Sequence, residues 1–345
     1  GEVVARLDTP AKIDGSANFA GDIRLPDMLY ASVRGGPIGN RRLKSANKAA
    51  GLKIRHVVKV VTTDHWVAAL ATNWWSANRA LDAMAPVFEN KGPLADSGDI
   101  AASLRTALTE GPGKREFSAG DFDDVWADHS PNRRLAAEYN IAAAMHAAVE
   151  TRSATAHYRG GRLQLWMASQ APQSAIEAAA KAIGISPRDI IYYPVFAGGS
   201  FDRNFDNQIA AQVAVLAVEA ARPVQLVWSR AEDSIRDHVR APLLGHVRAM
   251  LDEKGMVKGL GIKIAAPSSM RELAARLEGD SENDARTQNG DEFDPLMLDG
   301  AMPPYNIENV YVDHFPVALP LPTGPSRAMA HGHNAFMIAS CIDAL

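Results

Sequence analysis

The feature that most constrains the fold is a regular exchange of helix-like and strand-like segments from about residue 133 onward. A long apolar helix is predicted over 209–221, and an apolar strand over 224–228 follows it at once. Pro172 opens a second helix, and Gly184 closes it. Further strands are predicted over 163–167, over 189–196 and on both sides of a turn at 252–255. This alternation predicts a mixed α/β architecture.

The first part of the chain, residues 1–90, has a different pattern of short strands and loops around one helix. Apolar, β-branched runs at 55–61 and 66–71 predict strands. Asn73 precedes apolar residues at helical spacing, and Pro86 ends that helix. The pattern predicts a β-rich module.

Between these parts lies a stretch, 91–132, that is rich in Gly, Pro and Asp. We interpret it as a linker that contains a helix over 100–108. The α/β domain is then expected over 133–345, after the β-rich domain over 1–90. Within it, residues 271–300 are polar and acidic, which predicts a solvated loop.

Composition narrows the functional classes. The 345 residues carry 36 basic and 40 acidic side chains, a formal charge of −4, so no nucleic-acid partner is expected. No run approaches the ~20 apolar residues of a membrane helix. The single cysteine, Cys341, lies in an apolar helical pattern and is interpreted as a packed thiol. Because an iron–sulfur cluster needs several thiolates, any such cluster is expected on another chain.

The first candidate site is the segment 197–203, which joins a predicted strand to the long helix. Gly198 and Gly199 permit positive φ angles and let a ligand approach bare backbone N–H groups. A tight strand-to-helix connection explains the same residues without any ligand. The segment is not the dinucleotide-binding fingerprint, which needs a third spaced glycine.

The second candidate is the Pro/Gly-rich segment 322–334, ahead of an apolar helix predicted over 335–345. Arg327 offers a planar fork for an anionic ligand or a phosphate. His331 and His333 could ligate a metal, although no third ligand is evident and no protein-ligated metal is expected. The alternative is an ordinary helix start with a surface arginine.

The third candidate is the pair His146 and Glu150. Four residues apart, they are predicted to share one helix face, either as a proton relay or as a local pair. Nucleophilic catalysis has little support, because the chain has neither a Gly-x-Ser-x-Gly elbow nor a phosphate-binding Walker loop.

Short blocks of sequence spread over the whole chain carry a family resemblance. They are residues 9–31, 73–81, 146–150, 170–173, 198–201, 228–233 and 324–343. In this order they resemble the molybdopterin-binding subunit of the xanthine oxidase and aldehyde oxidase family, in its isoquinoline 1-oxidoreductase-like branch. The first two are similar to an a/b hammerhead domain, and the others to the first part of the molybdopterin-binding α/β domain.

The resemblance implies roles for particular residues. Phe201 would flank the molybdenum centre, and Arg327 would orient the substrate. His146 and Glu150 would form the pocket wall. The cofactor-binding set would be Gly198, Gly199, Ser200, Phe201 and Arg327.

The sequence also departs from the family pattern. Ala144 stands where the family has a glutamine that contacts a molybdenum oxo group, and alanine cannot donate that hydrogen bond. Asp202 and Arg203 replace the small residue that usually follows the phenylalanine. Ala144, Ser200 and Asp202 favour, as an alternative, a non-catalytic binding or assembly homologue of the same fold, whereas Phe201 and Arg327 favour the enzyme.

The reaction implied is water-derived hydroxylation of N-heterocycles or aldehydes. The cofactor would be a molybdenum-pterin in its cytosine dinucleotide form, shared with segments missing here. Iron–sulfur clusters would lie on a partner subunit, and a second molybdopterin-binding chain is a further candidate partner. The family's glutamate-bearing catalytic segment has no counterpart. We therefore expect a fragment or split subunit with no catalytic residue of its own, inactive alone on its small-molecule substrate.

Overall fold

The computed structural model describes residues 1–36, 41–90, 96–127, 133–279 and 290–345. The chain divides into two compact units, each built from two separate stretches of sequence. The first unit comprises Gly1–Gly92 and Ala147–Asp237, and the second comprises Pro93–His146 and His238–Leu345. The predicted boundaries of the hammerhead domain, the linker and the molybdopterin-binding domain remain a prediction. The two compact units are defined only by the contacts within each unit, and such contacts do not identify those domains.

The strands alternate with helices along most of the chain. They are β1 (Leu29–Gly35), β2 (Arg41–Ser45), β3 (Val57–Thr62), β4 (Trp66–Ala71), β5 (Val87–Asn90), β6 (Lys114–Ala119), β7 (Arg134–Ile141), β8 (Ser153–Arg159), β9 (Arg162–Met167), β10 (Ile190–Pro194), β11 (Val224–Val227), β12 (Val239–Arg240), β13 (Leu243–Leu251), β14 (Val257–Ala266), β15 (Asn309–Pro316) and β16 (Thr323–Gly324).

The helices are α1 (Thr9–Ile13), α2 (Lys48–Leu52), α3 (Trp74–Met84), α4 (Ser97–Glu110), α5 (Phe122–Ala127), α6 (Pro172–Ile183), α7 (Gln208–Ala220), α8 (Arg230–Ile235), α9 (Ser269–Glu278) and α10 (His331–Asp343). Short 3-10 helices cover Ala20–Asp22, Pro187–Asp189, Arg203–Phe205 and Pro295–Leu298.

The first unit is built on a mixed sheet whose described strands run in the order β10-β9-β8-β11-β1-β4-β3. Strand β1 pairs parallel with β11 and antiparallel with β4, so the sheet joins the two stretches of this unit. Helices α6 and α7 pack against it through small apolar residues such as Ala175, Ala179 and Val213. Helix α7 is buried along most of its length. The loop that connects β10 to α7 therefore ends at a helix that is fixed in the core.

The second unit has a sheet whose described strands run β6-β15-β14-β13-β7. Helix α10 packs on its core through Met337, Ile338 and Cys341, all buried. Cys341 is therefore the packed thiol that the sequence predicts, and burial raises the pKa of its thiol. A short parallel ladder of β12 and β16 leads from this core to the start of α10.

The predicted mixed α/β class is confirmed, with several sheets and the expected helices. Asn73 caps α3 by accepting a hydrogen bond from the Ser76 N–H, and Gly184 ends α6 with φ of 70°. The described part of the supposed linker folds into α4, β6 and α5, and α4 includes the helix predicted over 100–108.

The prediction of a loop over 271–300 is wrong for the first residues of that range. Residues Ser269–Glu278 form α9, in which Ser269, Glu272 and Leu273 are buried at helical spacing despite the polar surroundings. The acidic centre of that stretch, 280–284, lies outside the described residues.

Candidate functional site

The first candidate site is the glycine loop, residues 197–203, which follows β10 and precedes α7 in the first unit. Gly199 has φ of 106°, a conformation that residues with a side chain rarely adopt. Phe201 and Asp202 also have positive φ, at 55° and 77°. Two consecutive non-glycine residues in this region are backbone strain, which persists only where surrounding contacts enforce it.

Glu150 supplies part of that enforcement. Its carboxylate accepts hydrogen bonds from the Gly198 N–H at 2.7 Å, the Ser153 hydroxyl at 3.0 Å and the Gly21 N–H at 3.4 Å. The Glu150 N–H in turn donates to the Gly198 carbonyl at 3.1 Å. A Cβ on Gly198 would lie 2.5 Å from the Glu150 Cβ, so only glycine fits. Glu150 therefore braces the loop through several bonds.

The predicted helix face shared by His146 and Glu150 is wrong. Residues 145–150 have no helical structure, and Ala147 has φ of 47°. The two side chains belong to different compact units, His146 to the second and Glu150 to the first. The spacing of four residues was misleading, because the small residues between them carry no periodicity that requires a helix.

Three successive backbone N–H groups of the glycine loop have no partner in the described part of the chain. Within the described part of the chain, the N–H groups of Gly199, Ser200 and Phe201 donate no hydrogen bond to another protein group. The Phe201 ring beside them is 43% exposed. Successive free N–H groups in a turn form a concave site that favours an anionic or oxygen-rich ligand.

Polar side chains fix this loop from its own ends. The Ser200 hydroxyl donates to the Gln170 side-chain carbonyl and accepts from the Asn204 N–H at 3.0 Å. The Gln170 amide donates to Asp202 at 2.8 Å. The loop is thus held by side chains, which leaves the backbone donors of residues 199–201 available.

A buried charge network lies at the end of the glycine loop. Arg203 is 5% exposed and forms ion pairs with Asp206 at 2.7 Å and Asp237 at 3.1 Å. Arg152, equally buried, donates to the Asn204 side chain and to the Asp206 carbonyl. Burial, followed by repulsion from Arg203, lowers the pKa of Arg152 to about 10. From the sequence, Arg203 was noted only as a departure from the family, and Arg152 was missed.

The network continues to Glu232 through Arg236, whose carbonyl accepts from Arg203 at 3.0 Å. The Glu232 carboxylate accepts from the Gly35 N–H at 2.8 Å and lies 3.8 Å from the Arg236 guanidinium. Burial raises the pKa of Glu232 to about 7, against the opposing effects of Arg236 and the Gly35 N–H. Sequence alone has no sign of this, since the segment 228–233 is typical of a surface helix start.

The second candidate site is the arginine loop, residues 322–330, in the second unit. His146 is buried, and its Nε2 is 2.8 Å from the Pro325 carbonyl, so the imidazole holds the loop backbone. Ala328 and Met329 have φ of 65° and 46°. Arg327 is exposed, and no side-chain partner for it occurs in the described ranges. Its guanidinium is free to bind a ligand from solvent.

The two histidines after this loop do not act as a pair. His331 is exposed, whereas His333 is 7% exposed, because positions two apart on α10 face different sides. Among the described residues, no group of three or more His, Cys, Asp or Glu side chains could hold a metal ion. Ala144, the departure from the family glutamine, is held in a bridge with Arg240, whose N–H donates to its carbonyl at 2.9 Å.

Each of the two loops is therefore contacted by part of the predicted set of site residues. Glu150 contacts the first, and His146 contacts the second. The two loops belong to different compact units. No helix in the described ranges combines the length and apolar character that crossing a membrane requires.

Known proteins resemble this chain in both sequence and fold. The chain is 25% identical over 283 residues to the beta subunit of the isoquinoline 1-oxidoreductase from Brevundimonas diminuta, covering 79% of this chain and 36% of that protein. It is 24% identical over 358 residues to one subunit of the nicotinate dehydrogenase from Pseudomonas putida, covering 100% and 29%. The fold superposes on quinoline 2-oxidoreductase from Pseudomonas putida 86 with a TM-score of 0.75 at 15% identity, over 100% of this chain and 48% of that one.

The chain thus spans about a third of the length of the curated relatives it matches, and about half of that solved chain. A further fold match is the aldehyde oxidoreductase from Desulfovibrio gigas, with a TM-score of 0.73 at 16% identity, over 98% of this chain and 41% of that one. The family described as "Molybdopterin cofactor-binding domain" matches residues 108–345, which include both loops. The chain belongs to the molybdopterin cofactor-binding domain family.

Proposed function

We propose that this chain is part of a molybdenum hydroxylase that oxidises N-heterocycles or aldehydes. The observation that carries the proposal is the free run of backbone N–H groups at Gly199, Ser200 and Phe201. The names of the relatives, which concern isoquinoline, nicotinate and quinoline, support N-heterocycles as the substrate class. The activities and substrates in those names concern relatives of which this chain spans about a third.

The residues present fit a molybdenum-pterin cofactor. Free N–H groups suit the oxygen ligands of the metal, and a Cβ at Gly199 would lie 3.2 Å from the Ala148 Cβ, in a backbone conformation that strains other residues. When bound, this cofactor supplies oxidative hydroxylation of a carbon next to nitrogen or oxygen. The proposal includes the cytosine dinucleotide form, iron–sulfur clusters on a partner subunit, and a second molybdopterin-binding chain as the other candidate partner.

The chain's own side chains would bind and orient rather than transfer protons. Arg327 would orient the substrate through its free guanidinium. Phe201 would lie beside the cofactor with its half-exposed ring, which suits an aromatic substrate. His146 and Glu150, proposed as the pocket wall, would act by holding the arginine loop and the glycine loop in place.

A non-catalytic binding or assembly homologue is the second candidate. One observation favours it: Ala144 has no side chain to donate the hydrogen bond that the family glutamine makes. A protein that retains the cofactor but does not turn over any aldehyde or N-heterocycle would support this candidate.

The proposed function is tested by the kinetics of Arg327→Ala in the complete enzyme. We expect kcat/KM to fall by ~10-fold or more, because an orienting contact is lost in the transition state. Arg105→Ala is the matched control, since Arg105 is another exposed arginine of the second unit, paired at 2.7 Å with Glu138. Equal kcat/KM values for the two variants would contradict the role of Arg327.

A further inference from the structure

A small pocket lies within the second unit, beside the arginine loop. Its walls come from the arginine loop itself, the end of β12, the start of α9, the 3-10 helix Pro295–Leu298 and the start of α10. Most of the lining is apolar and includes Met270, Leu296, Met297 and Met329. Two basic side chains, Arg240 and His333, line the same pocket.

His333 is buried in this pocket without a partner for its ring. Only 7% of the residue is exposed, and its Nε2 forms no hydrogen bond with any described residue. Burial and then the charge of Arg240 lower the pKa of the imidazole to about 4, so it is neutral at pH 7. A neutral imidazole can still donate from Nε2. Leaving a buried polar group unpartnered costs free energy, which favours a ligand that pairs with it.

Arg240 presents a second unpartnered donor. One terminal nitrogen of its guanidinium donates to the Ala142 carbonyl at 3.0 Å, which fixes the side chain. Its buried Nε has no partner among the described residues. A guanidinium N–H can only donate, so any ligand that satisfies Arg240 must offer an acceptor, and a positive charge favours an anionic one.

We infer that this pocket binds a small carboxylate, with one oxygen accepting from Arg240 Nε and the other from His333 Nε2. The apolar walls suit a short hydrocarbon part of such a ligand. The empty space is about 280 Å³ with open solvent included, so the enclosed part is smaller and suits only a small ligand. The inference concerns this chain's second unit alone and does not depend on the proposed function.

The test is a titration of the complete protein with ¹³C-labelled formate, observed through broadening of the formate signal. We expect saturable binding, and binding of formamide, a neutral molecule of the same size, at least tenfold weaker. Saturable binding with no preference for formate would overturn the inference, as would a response that rises linearly with concentration. This comparison uses the unaltered protein and therefore does not depend on the folding of a variant.

Site-specific variants locate the binding. Arg240→Gln and His333→Gln should each weaken formate binding at least tenfold. His331→Gln should leave it unchanged, since His331 lies two residues away on the same helix and is exposed. Wild-type affinity in both pocket variants would place formate elsewhere, for example on the free N–H groups of the glycine loop, and would overturn the inference.

Discussion

The glycine loop and the arginine loop are both strained and both carry a group that we propose to bind a ligand, but they are held in different ways. Side chains hold the glycine loop: Glu150, Ser200 and Gln170 bond it directly, and the buried pair of Arg203 and Asp206 anchors its end. The arginine loop is held mainly through its backbone, where His146 contacts the Pro325 carbonyl.

The difference concerns which group each loop offers to a ligand. A loop that offers backbone N–H groups must keep those particular N–H groups unpaired, so its own side chains, such as Ser200 and Asp202, help to hold it in place. A loop that offers a side chain, as the arginine loop offers Arg327, can use its backbone for contacts instead. Replacing charged residues near the glycine loop should therefore change the stability of the protein, whereas replacing Arg327 should change only ligand binding.

The largest effect is expected for Arg203→Met, which removes one of the cations of the buried network. Asp206 and Asp237 would lose the Arg203 guanidinium, which lies 2.7 Å and 3.1 Å from their carboxylates. Removing one member of a buried ion pair costs about 3–5 kcal/mol. Chemical denaturation should show that loss in the free energy of unfolding.

The control is Lys59→Ala, which removes an ion pair of the same unit that is 2.8 Å long but whose side chains are 40% and 46% exposed. Exposed pairs contribute about 0–1 kcal/mol, so this variant should be close to wild type. Similar losses for the two variants would show that burial of the network does not matter.

The second effect is a pH dependence that originates at Glu232. Burial raises the pKa of this carboxyl in the folded state to about 7, from its ordinary value of 4.5. The unfolded state therefore releases its proton first as the pH rises, and the stabilisation present below pH 4.5 is lost between there and about pH 7, by up to ~3 kcal/mol.

Glu232→Gln should flatten that slope, because glutamine keeps the Gly35 contact without titrating. The free energy of unfolding should be measured for both proteins across pH 4.5–7. If wild type and variant show parallel pH profiles, Glu232 is not the titrating group.

A smaller effect is expected for Gly198→Ala. The new methyl group would lie 2.5 Å from the Glu150 Cβ, so the loop must shift, at a cost of about 1–3 kcal/mol. Thermal unfolding checks this. Gly332→Ala is the matched control, because open space surrounds that helical glycine and alanine should be neutral or stabilising by about 0.5–1 kcal/mol. Equal stability of Gly198→Ala and wild type would contradict the tight contact.

The smallest effect on stability is expected for Arg327→Ala. The side chain is exposed and has no partner in the described part of the chain, so unfolding should change by less than about 0.5 kcal/mol. A loss of several kcal/mol by denaturation would mean that the arginine holds its loop, which would remove the contrast with the glycine loop.

The sequence predicted most of the fold because its signals are local. Asn73 and Gly184 mark helix ends because each caps its own helix. The continuous apolar residues of α7 indicate a buried helix without any knowledge of its partners. Helix α9 was missed because its polar residues, such as the buried Glu272, resemble loop residues until tertiary contacts are known.

The candidate site was predicted less completely. Gly198 and Gly199 were found because their backbone positions need glycine. Arg152 and Glu232 were missed because their hydrogen-bond partners, such as Asn204 and Gly35, are distant in sequence. Only the fold brings those partners together.

The most direct test of the account is the molybdenum content of the complete protein from its native host, as wild type and as Gly199→Val. Valine is strained at a φ of 106°, so the variant should lose its donor geometry. We predict molybdenum close to equimolar with the wild-type chain, and at least a tenfold loss in the variant. Metal-free wild-type protein, or equal molybdenum in the two proteins, would contradict the claim that the glycine loop holds the cofactor.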